Sequence, residues 1–343
     1  MSEPSTPARA TSLAPGPSVD TTGLRVAAIV PCHNEELAVG KVVRDLVDAV
    51  PGIDVYVYDN NSTDKTAEVA RDAGAIVRYE HAKGKGNVVR RAFADVDADV
   101  YLMIDGDDTY DASAAPRLIS TLLEGPYDHV LGVRREVTET AYRPGHATGN
   151  RMFNALVSGI FGVEVSDMLS GYRAFSHRFV KSFPAVSREF ETETELTVHA
   201  ATLRVPQTEV EVDFTDRPEG AESKLRTYHD GFKILRLVLH LARVERPVLF
   251  HTAVAAVLML VGLVVGLPAV LDYLRTGLVP RFPSAILAAS IELLSFMTFF
   301  LGLTLSALKR VKDENMRLVY LSMRPPATVA APVEGGTPAQ STR

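Results

Sequence analysis

Val100-Tyr101-Leu102-Met103-Ile104-Asp105-Gly106-Asp107-Asp108 joins an apolar run to an acidic turn. Five consecutive apolar, β-favouring residues predict a buried strand, so the carboxylates emerge at its C-terminal end, where open α/β sheets hold their ligands. Two carboxylates one residue apart on an irregular turn suit one hard divalent cation such as Mg2+ or Mn2+, which in turn can hold a diphosphate. A nucleotide site is the expectation. A solvated acidic turn is the plainer reading of so short a pattern, and the rest of the chain decides between the two.

Upstream, the pattern repeats. Residues 25–30 form a short apolar run that leads into Pro31-Cys32-His33-Asn34-Glu35-Glu36, followed by Val39, Val42, Val43, Leu46 and Val47 at helical spacing. A second strand over 53–58 runs into Asp59-Asn60-Asn61-Ser62-Thr63-Asp64, with Ser62 or Thr63 placed to cap the next helix and Asp64 favourable in its first turn. A third, over 75–79, reaches Lys83-Gly84-Lys85-Gly86-Asn87 and a helix to about residue 94. Lysines among glycines before a helix N-terminus make a phosphate-facing loop, with Lys85 the candidate, although this is not a Walker A sequence. Strand and helix alternate through residues 25–125, which predicts a parallel, right-handed α/β sheet.

Further along, residues 127–133 read as a strand ending in Arg134-Arg135 and 150–161 as a helix. Residues 165–173 follow as an ordered loop, then 190–201 as a helix with Glu191 and Glu195 at i, i+4 spacing, and 205–214 as a strand. This half is expected to gather polar and basic side chains rather than to close another regular sheet.

The chain has 343 residues and a net charge of -6, from 36 Lys and Arg against 42 Asp and Glu, which gives no reason to expect a nucleic-acid partner. Its single cysteine, Cys32, excludes a disulfide framework and a cysteine-based metal site. Residues 1–23, rich in Ser, Thr, Pro and Ala, read as a disordered leader.

Residues 229–246 form a basic amphipathic pattern suited to an anionic membrane surface. After it come two apolar stretches, 248–271 and 284–308, each long enough to cross a hydrocarbon core of about 20 residues per span. Arg243, Arg246, Lys309, Arg310, Lys312 and Arg317 flank one side, and only Arg275 and Arg281 the other, so the positive-inside rule puts both termini in the cytosol. Glu292 within the second span reads as a residue for packing between copies of the chain or for lipid handling.

These pieces together resemble the polyprenyl-phosphate glycosyltransferases of glycosyltransferase family 2, the group of dolichyl-phosphate mannose synthases and bacterial polyprenyl-phosphate glucosyltransferases. Residues 31–36 are similar to that family's P-x-x-N-E-E opening, 59–64 to its D-D-G-S-x-D motif, and Asp105-Gly106-Asp107 to its metal-binding D-x-D. Residues 166–173 are similar to S-D-x-x-S-G-[FY]-R, and 220–224 to G-x-S-K with one extra residue. The resemblance spans about residues 25–240 and, more loosely, the anchor.

The resemblance implies a GT-A (Rossmann-like α/β) catalytic domain over 24–228, the amphipathic helix over 229–246, a transmembrane hairpin over 247–310 and a largely disordered cytosolic tail over 311–343. It implies a multi-pass protein of the cell (inner or plasma) membrane that transfers a sugar from a nucleotide donor to a membrane polyprenyl phosphate with Mg2+ or Mn2+. By motif matching, Asp59 recognises the nucleobase, with Pro31, Asn34, Glu35 and Asn61 lining the donor site and Gly106 between the metal ligands Asp105 and Asp107. Arg217 and Lys224 neutralise donor or acceptor phosphate, Arg134 and Arg151 grip the lipid phosphate, and Asp167 positions acceptor or sugar. Asp59-Asn60-Asn61 and Asp105-Gly106-Asp107 depart from the family's D-D-G and DAD-type triplets, which leaves the donor open between a UDP-sugar, favoured by analogy, and GDP-mannose. A polysaccharide-building family 2 enzyme is disfavoured, because its usual Q-x-x-R-W needs a tryptophan that this chain lacks. A membrane scaffold that binds a nucleotide sugar without turnover is the reading from a different class.

Overall fold

In the computed structural model of the protein, residues 19–136, 166–185, 192–215 and 243–327 are described. The chain divides into two compact units, one of Met1–Asn154, Val165–Ser223 and Arg317–Arg343, the other of Ala155–Glu164 and Lys224–Met316. The first is built on a seven-stranded sheet of β1 (Val26–Cys32), β2 (Asp54–Asp59), β3 (Ile76–Tyr79), β4 (Val100–Met103), β5 (His129–Glu136), β6 (Arg173–Ser176) and β7 (Gln207–Phe214). Their order is β3-β2-β1-β4-β6-β5-β7.

β1 to β4 are mutually parallel, as the strand and helix alternation predicts. The second half departs from expectation, because β5, β6 and β7 complete the same sheet instead of leaving it open. β6 runs antiparallel to both β4 and β5, and β5 pairs parallel with β7. Arg173, expected in a loop, opens β6. Arg173-Ala174-Phe175-Ser176 has little strand character of its own; flanked by a strand on each side and buried at all four positions, it takes its conformation from the sheet. Because β6 is reversed, its start lies at the same edge as the ends of β1, β2, β4 and β5.

Helices α1 (Val39–Ala49), α2 (Thr66–Asp72), α3 (Lys85–Asp95), α4 (Ala115–Glu124), α5 (His177–Ser182) and α6 (Thr192–Leu203) complete the unit. Val39, Val42, Val43 and Leu46 recur at i, i+3, i+4 and i+7, so α1 presents one apolar face, and all four are fully buried in a core shared with Leu118, Ile119 and Leu122 of α4. Truncating Leu46 to alanine in such a core costs about 2–5 kcal/mol. The expected Ser62 or Thr63 cap on α2 is not formed. The Ser62 hydroxyl accepts instead from Asn34 N at 3.0 Å, and Asp64 Oδ2 accepts from Glu36 N at 3.2 Å, so these polar groups tie two loops together.

The other unit contains α7 (Pro247–Thr276) and most of α8 (Phe282–Ser322), both long and apolar enough to cross a membrane. Between them, Ser295 Oγ donates to Ala255 O at 2.8 Å, and a Cβ on Gly262 would stand 2.5 Å from the buried Glu292 Oε1. Small residues here allow close approach of two helices. Of the expected amphipathic helix over 229–246, residues 229–242 lie outside the described residues.

Of the expected largely disordered tail over 311–343, residues 328–343 lie outside the described residues, and 311–322 are helical, because α8 continues to Ser322. Its last turn belongs to the first unit, where Tyr320 Oη donates to Asp128 Oδ2 at 2.7 Å and Arg324 pairs with Asp99 at 2.8 Å. Asp128 is fully buried and also takes both Nε and Nη2 of Arg178 at 2.6 Å.

Candidate active site

β1, β2 and β4 deliver their polar turns to one edge of the sheet. The register pairs Ile29 with Met103 and Cys32 with Asp59, which brings the turn after β4 over the end of β1. Gly106 lies directly on Cys32: a Cβ there would collide with Cys32 Sγ and stand 3.3 Å from Val30 Cγ1. The glycine between the two aspartates is therefore the counterpart of a buried sulfur below it. Burial, and the carboxylates of Glu35, Asp59, Asp105 and Asp107, hold the Cys32 thiol well above its ordinary pKa, so it remains a packing group.

Asp107 is buried, and its Oδ1 accepts from Thr109 Oγ1 at 2.6 Å. Asp105 is more open. Its Oδ1 meets the ammonium of Lys85, and its Oδ2 rests on Gly171, where a Cβ would stand 2.5 Å away. Asp108 takes a left-handed backbone and pairs with Lys41 at 2.8 Å, outside the pair.

Lys85, expected in a phosphate-facing loop, opens α3, and its ammonium is enclosed between Asp105 and Glu193, the latter at 2.5 Å. Burial alone lowers the pKa of such an amine, but the two carboxylates outweigh it and the net shift is upward. Glu193, near the start of α6, is the site residue that the sequence does not announce; of the expected i, i+4 pair, Glu191 lies outside the described residues. A buried lysine requires a counter-charge, which is the one signal that points to Glu193.

On the β2 side, Asp59 is buried and its Oδ1 accepts from Ser62 N at 3.0 Å. Asn60 spans two loops: its Nδ2 donates to Glu80 O at 2.7 Å and Ala82 O at 2.9 Å, and its Oδ1 accepts from Gly84 N at 2.7 Å. Asn61 has φ 61°, the left-handed region that asparagine tolerates, and so occupies the place of the glycine in D-D-G. Asn34, also at positive φ, accepts from Thr63 N at 2.8 Å, Glu35 N donates to Thr66 Oγ1 at 2.8 Å, and Pro31 pairs with Tyr58. These motif residues converge on one loop cluster.

From β5, Arg134 makes a two-pronged bond to Asp167, Nε to Oδ2 at 2.6 Å and Nη2 to Oδ1 at 2.7 Å. Arg135 pairs with buried Asp213 at 2.7 Å. The loop over 167–171 is fixed from beneath: Ser170 Oγ donates to Gly132 O at 2.5 Å, and Gly171 N donates to Tyr110 Oη at 2.9 Å. Burial pushes the Tyr110 phenol up to about 12, so it stays neutral. Arg173 is fully buried and donates to Ser170 O at 2.8 Å, Met168 O at 2.7 Å and Thr197 Oγ1 at 2.9 Å. Pro31, Asn34, Glu35, Asp59, Asn61, Asp105, Gly106, Asp107, Arg134 and Asp167 all sit on loops or strand ends at this edge. Arg151, Arg217 and Lys224 lie outside the described residues.

Residues 27–183 match the family described as glycosyl transferase family 2. Glycosyltransferase AglJ of Haloferax volcanii is 36% identical over 235 residues, covering 67% of this chain and 76% of that protein. The dolichyl-phosphate hexose transferase of the same organism is 29% identical over 222 residues, covering 64% of this chain and 95% of that protein. Among solved structures, glucosyl-3-phosphoglycerate synthase of Mycobacterium tuberculosis, in complex with Mn2+, UDP-glucose and phosphoglyceric acid, superposes with a TM-score of 0.52 at 23% identity. That match covers 65% of this chain and 80% of the synthase, and it shows the shared GT-A fold. With its sheet, its acidic turn and a relative of this extent, the chain belongs to glycosyltransferase family 2.

Proposed function

We propose that the protein is a membrane-anchored inverting glycosyltransferase that moves a hexose or N-acetylhexosamine from a nucleotide sugar, a UDP-sugar in preference, to polyprenyl phosphate. The observation that carries this reading is the meeting of the Asp105/Asp107 turn with the Arg134–Asp167 pair at one edge of the sheet, in a chain that also has two helices long and apolar enough to cross a membrane. The dolichyl-phosphate hexose transferase relative supports the lipid phosphate acceptor, and the UDP-glucose complex of the structural neighbour supports the donor class.

Asp105 and Asp107 fit a hard divalent ion, being carboxylate oxygen donors one residue apart on a turn, with Asp105 partly open. Among the described residues no three His, Cys, Asp or Glu side chains cluster to form a closed metal cage. Asp105 and Asp107 would hold Mg2+ or Mn2+ and leave room for diphosphate and water. When bound, it supplies Lewis-acid stabilisation of the departing nucleoside diphosphate.

Asp59, with Pro31, Asn34, Glu35 and Asn61 around it, holds the nucleoside. Arg217 and Lys224 neutralise phosphate, and Arg134 and Arg151 receive the acceptor phosphate, for which guanidinium forks are suited. Asp167 occupies two of the Arg134 donors and so sets the direction in which the rest of the guanidinium faces. The acceptor phosphate oxygen forms the new bond to the anomeric carbon as the bond to the diphosphate breaks. A phosphate monoester is already largely ionised near neutral pH, so no side chain has to remove a proton, and positioning with electrostatics carries the reaction.

The catalytic domain over 24–228 and both termini face the cytosol in this reading, with 247–310 as the membrane hairpin. Asp107→Ala is the direct test. A transferase loses all lipid-linked sugar synthesis, whereas a non-catalytic nucleotide-sugar scaffold keeps its function.

A further inference from the structure

Lys85 stands where a cation is needed. Its ammonium contacts Asp105 Oδ1, while Oδ2 is backed by Gly171. On its other side is Glu193, 4% exposed, with Oε1 at 2.5 Å from Lys85 and a buried Oε2 that has no hydrogen-bond partner among the described residues. An unpartnered buried carboxylate oxygen is costly and uncommon.

We propose that Lys85 competes with a divalent ion for Asp105, and that Glu193 is the second seat that keeps the ammonium paired when the ion takes Asp105. This rests on the reading of Asp105 as a metal ligand. Two cations cannot share one carboxylate oxygen without strong repulsion, so metal entry loosens the ammonium from Asp105. Without Glu193, the displaced ammonium would be left buried and unpaired, at a cost that would oppose metal binding. Contact with Glu193 already exists, so the exchange needs no large movement of Lys85. Arg173 cannot replace the lysine, because its guanidinium is bound to Ser170 O, Met168 O and Thr197 Oγ1. Glu193 is thus a positioning residue for the metal site, acting through Lys85.

The exchange is read by Mn2+ binding to the detergent-solubilised full chain without nucleotide sugar, followed by the loss of the free-ion EPR signal, with circular dichroism as a check that each variant is folded. Wild type, Glu193→Gln, Lys85→Met and the double variant are compared. Contacting charged groups couple measurably, so Glu193→Gln weakens Mn2+ binding about fivefold or more and Lys85→Met strengthens it by a similar factor. In the Lys85→Met background the Glu193→Gln penalty disappears, because no ammonium remains to be seated. An equal penalty in both backgrounds overturns the exchange and makes Glu193 a bystander charge or a ligand. Weaker binding in Lys85→Met overturns it as well, and so does wild type that binds no Mn2+. Wild type that binds Mn2+ with this pattern but transfers no sugar leaves the exchange standing and sinks the transferase reading instead.

Discussion

Asp167 holds Arg134 by both of its oxygens, at 2.6 and 2.7 Å, and accepts from the Arg134 backbone N at 3.3 Å. The aspartate side chain is almost wholly buried and the arginine only partly, so the pair is anchored from the protein side. The ring of Phe214 lies 5.3 Å from the guanidinium carbon, a third restraint on its direction.

Asp167→Asn keeps the shape but removes the charge. A charge-assisted bond contributes about 1.5–3 kcal/mol, so kcat/KM for polyprenyl phosphate is expected to fall about 10- to 100-fold. Nucleotide binding should change little. Steady-state kinetics with each substrate varied in turn checks this, and a loss confined to the nucleotide sugar would place Asp167 elsewhere in the reaction.

Gly106→Ala forces a methyl group onto Cys32 Sγ. Overpacking of this kind costs about 1–3 kcal/mol and here also displaces the two aspartates, so both melting temperature and transfer activity should fall. Cys32→Ala removes the obstructing sulfur, and the Cys32→Ala, Gly106→Ala double variant should regain most of the loss. Additive effects of the two substitutions would show that the sulfur is not the obstacle.

His129 gives the first unit a pH dependence. Burial, with the Arg173 guanidinium beside it, pushes the imidazole from 6.5 down to about 3. It accepts from Arg173 on Nε2 and faces Gln207 Oε1 from Nδ1, which suits the neutral ring. Between these two pH values the unfolded chain binds a proton that the folded chain refuses. Stability therefore falls as pH drops through that window, by up to about 1.4 kcal/mol per pH unit from this group. Denaturant melts between pH 4 and 7 should show a shallower slope for His129→Gln than for wild type.

Asp128 tests the contact made by the last turn of α8. Among the described residues, Arg178→Ala leaves a fully buried carboxylate with Tyr320 and Ser176 as its remaining partners, and removing one member of a buried pair costs about 3–5 kcal/mol. Tyr320→Phe removes one charge-assisted hydrogen bond and should cost less, about 1.5–3 kcal/mol. Thermal unfolding of the two variants is expected to preserve this ranking.

The parallel half of the sheet and its acidic turn were legible because both signals are local: an apolar run marks the strand, and polar residues crowd its end. The left-handed backbone of Asn61 shows only in the fold, although asparagine is among the residues other than glycine that tolerate it. β6 was not legible either, because Arg173-Ala174-Phe175-Ser176 becomes a strand through its neighbours on each side. Glu193 escaped detection for a related reason. Its importance lies in an ammonium 108 positions earlier in the chain, and the Thr-rich start of α6 carries no clear apolar period. The Gly106 and Cys32 contact likewise joins two motifs that are separate in sequence. The extension of α8 to Ser322 was hidden by its charged residues, which read as a tail until Tyr320 finds Asp128.

The most direct measurement is transfer of label into the organic phase by the purified, detergent-solubilised protein, given polyprenyl phosphate, Mg2+ or Mn2+, and a panel of radiolabelled UDP- and GDP-sugars. A transferase of the proposed kind yields one lipid-linked sugar, from a UDP-sugar, and EDTA abolishes it. Label from GDP-mannose alone would keep the reaction and replace the donor. No label from any donor, in protein that still binds a nucleotide, would contradict the transferase and leave a binding scaffold in its place.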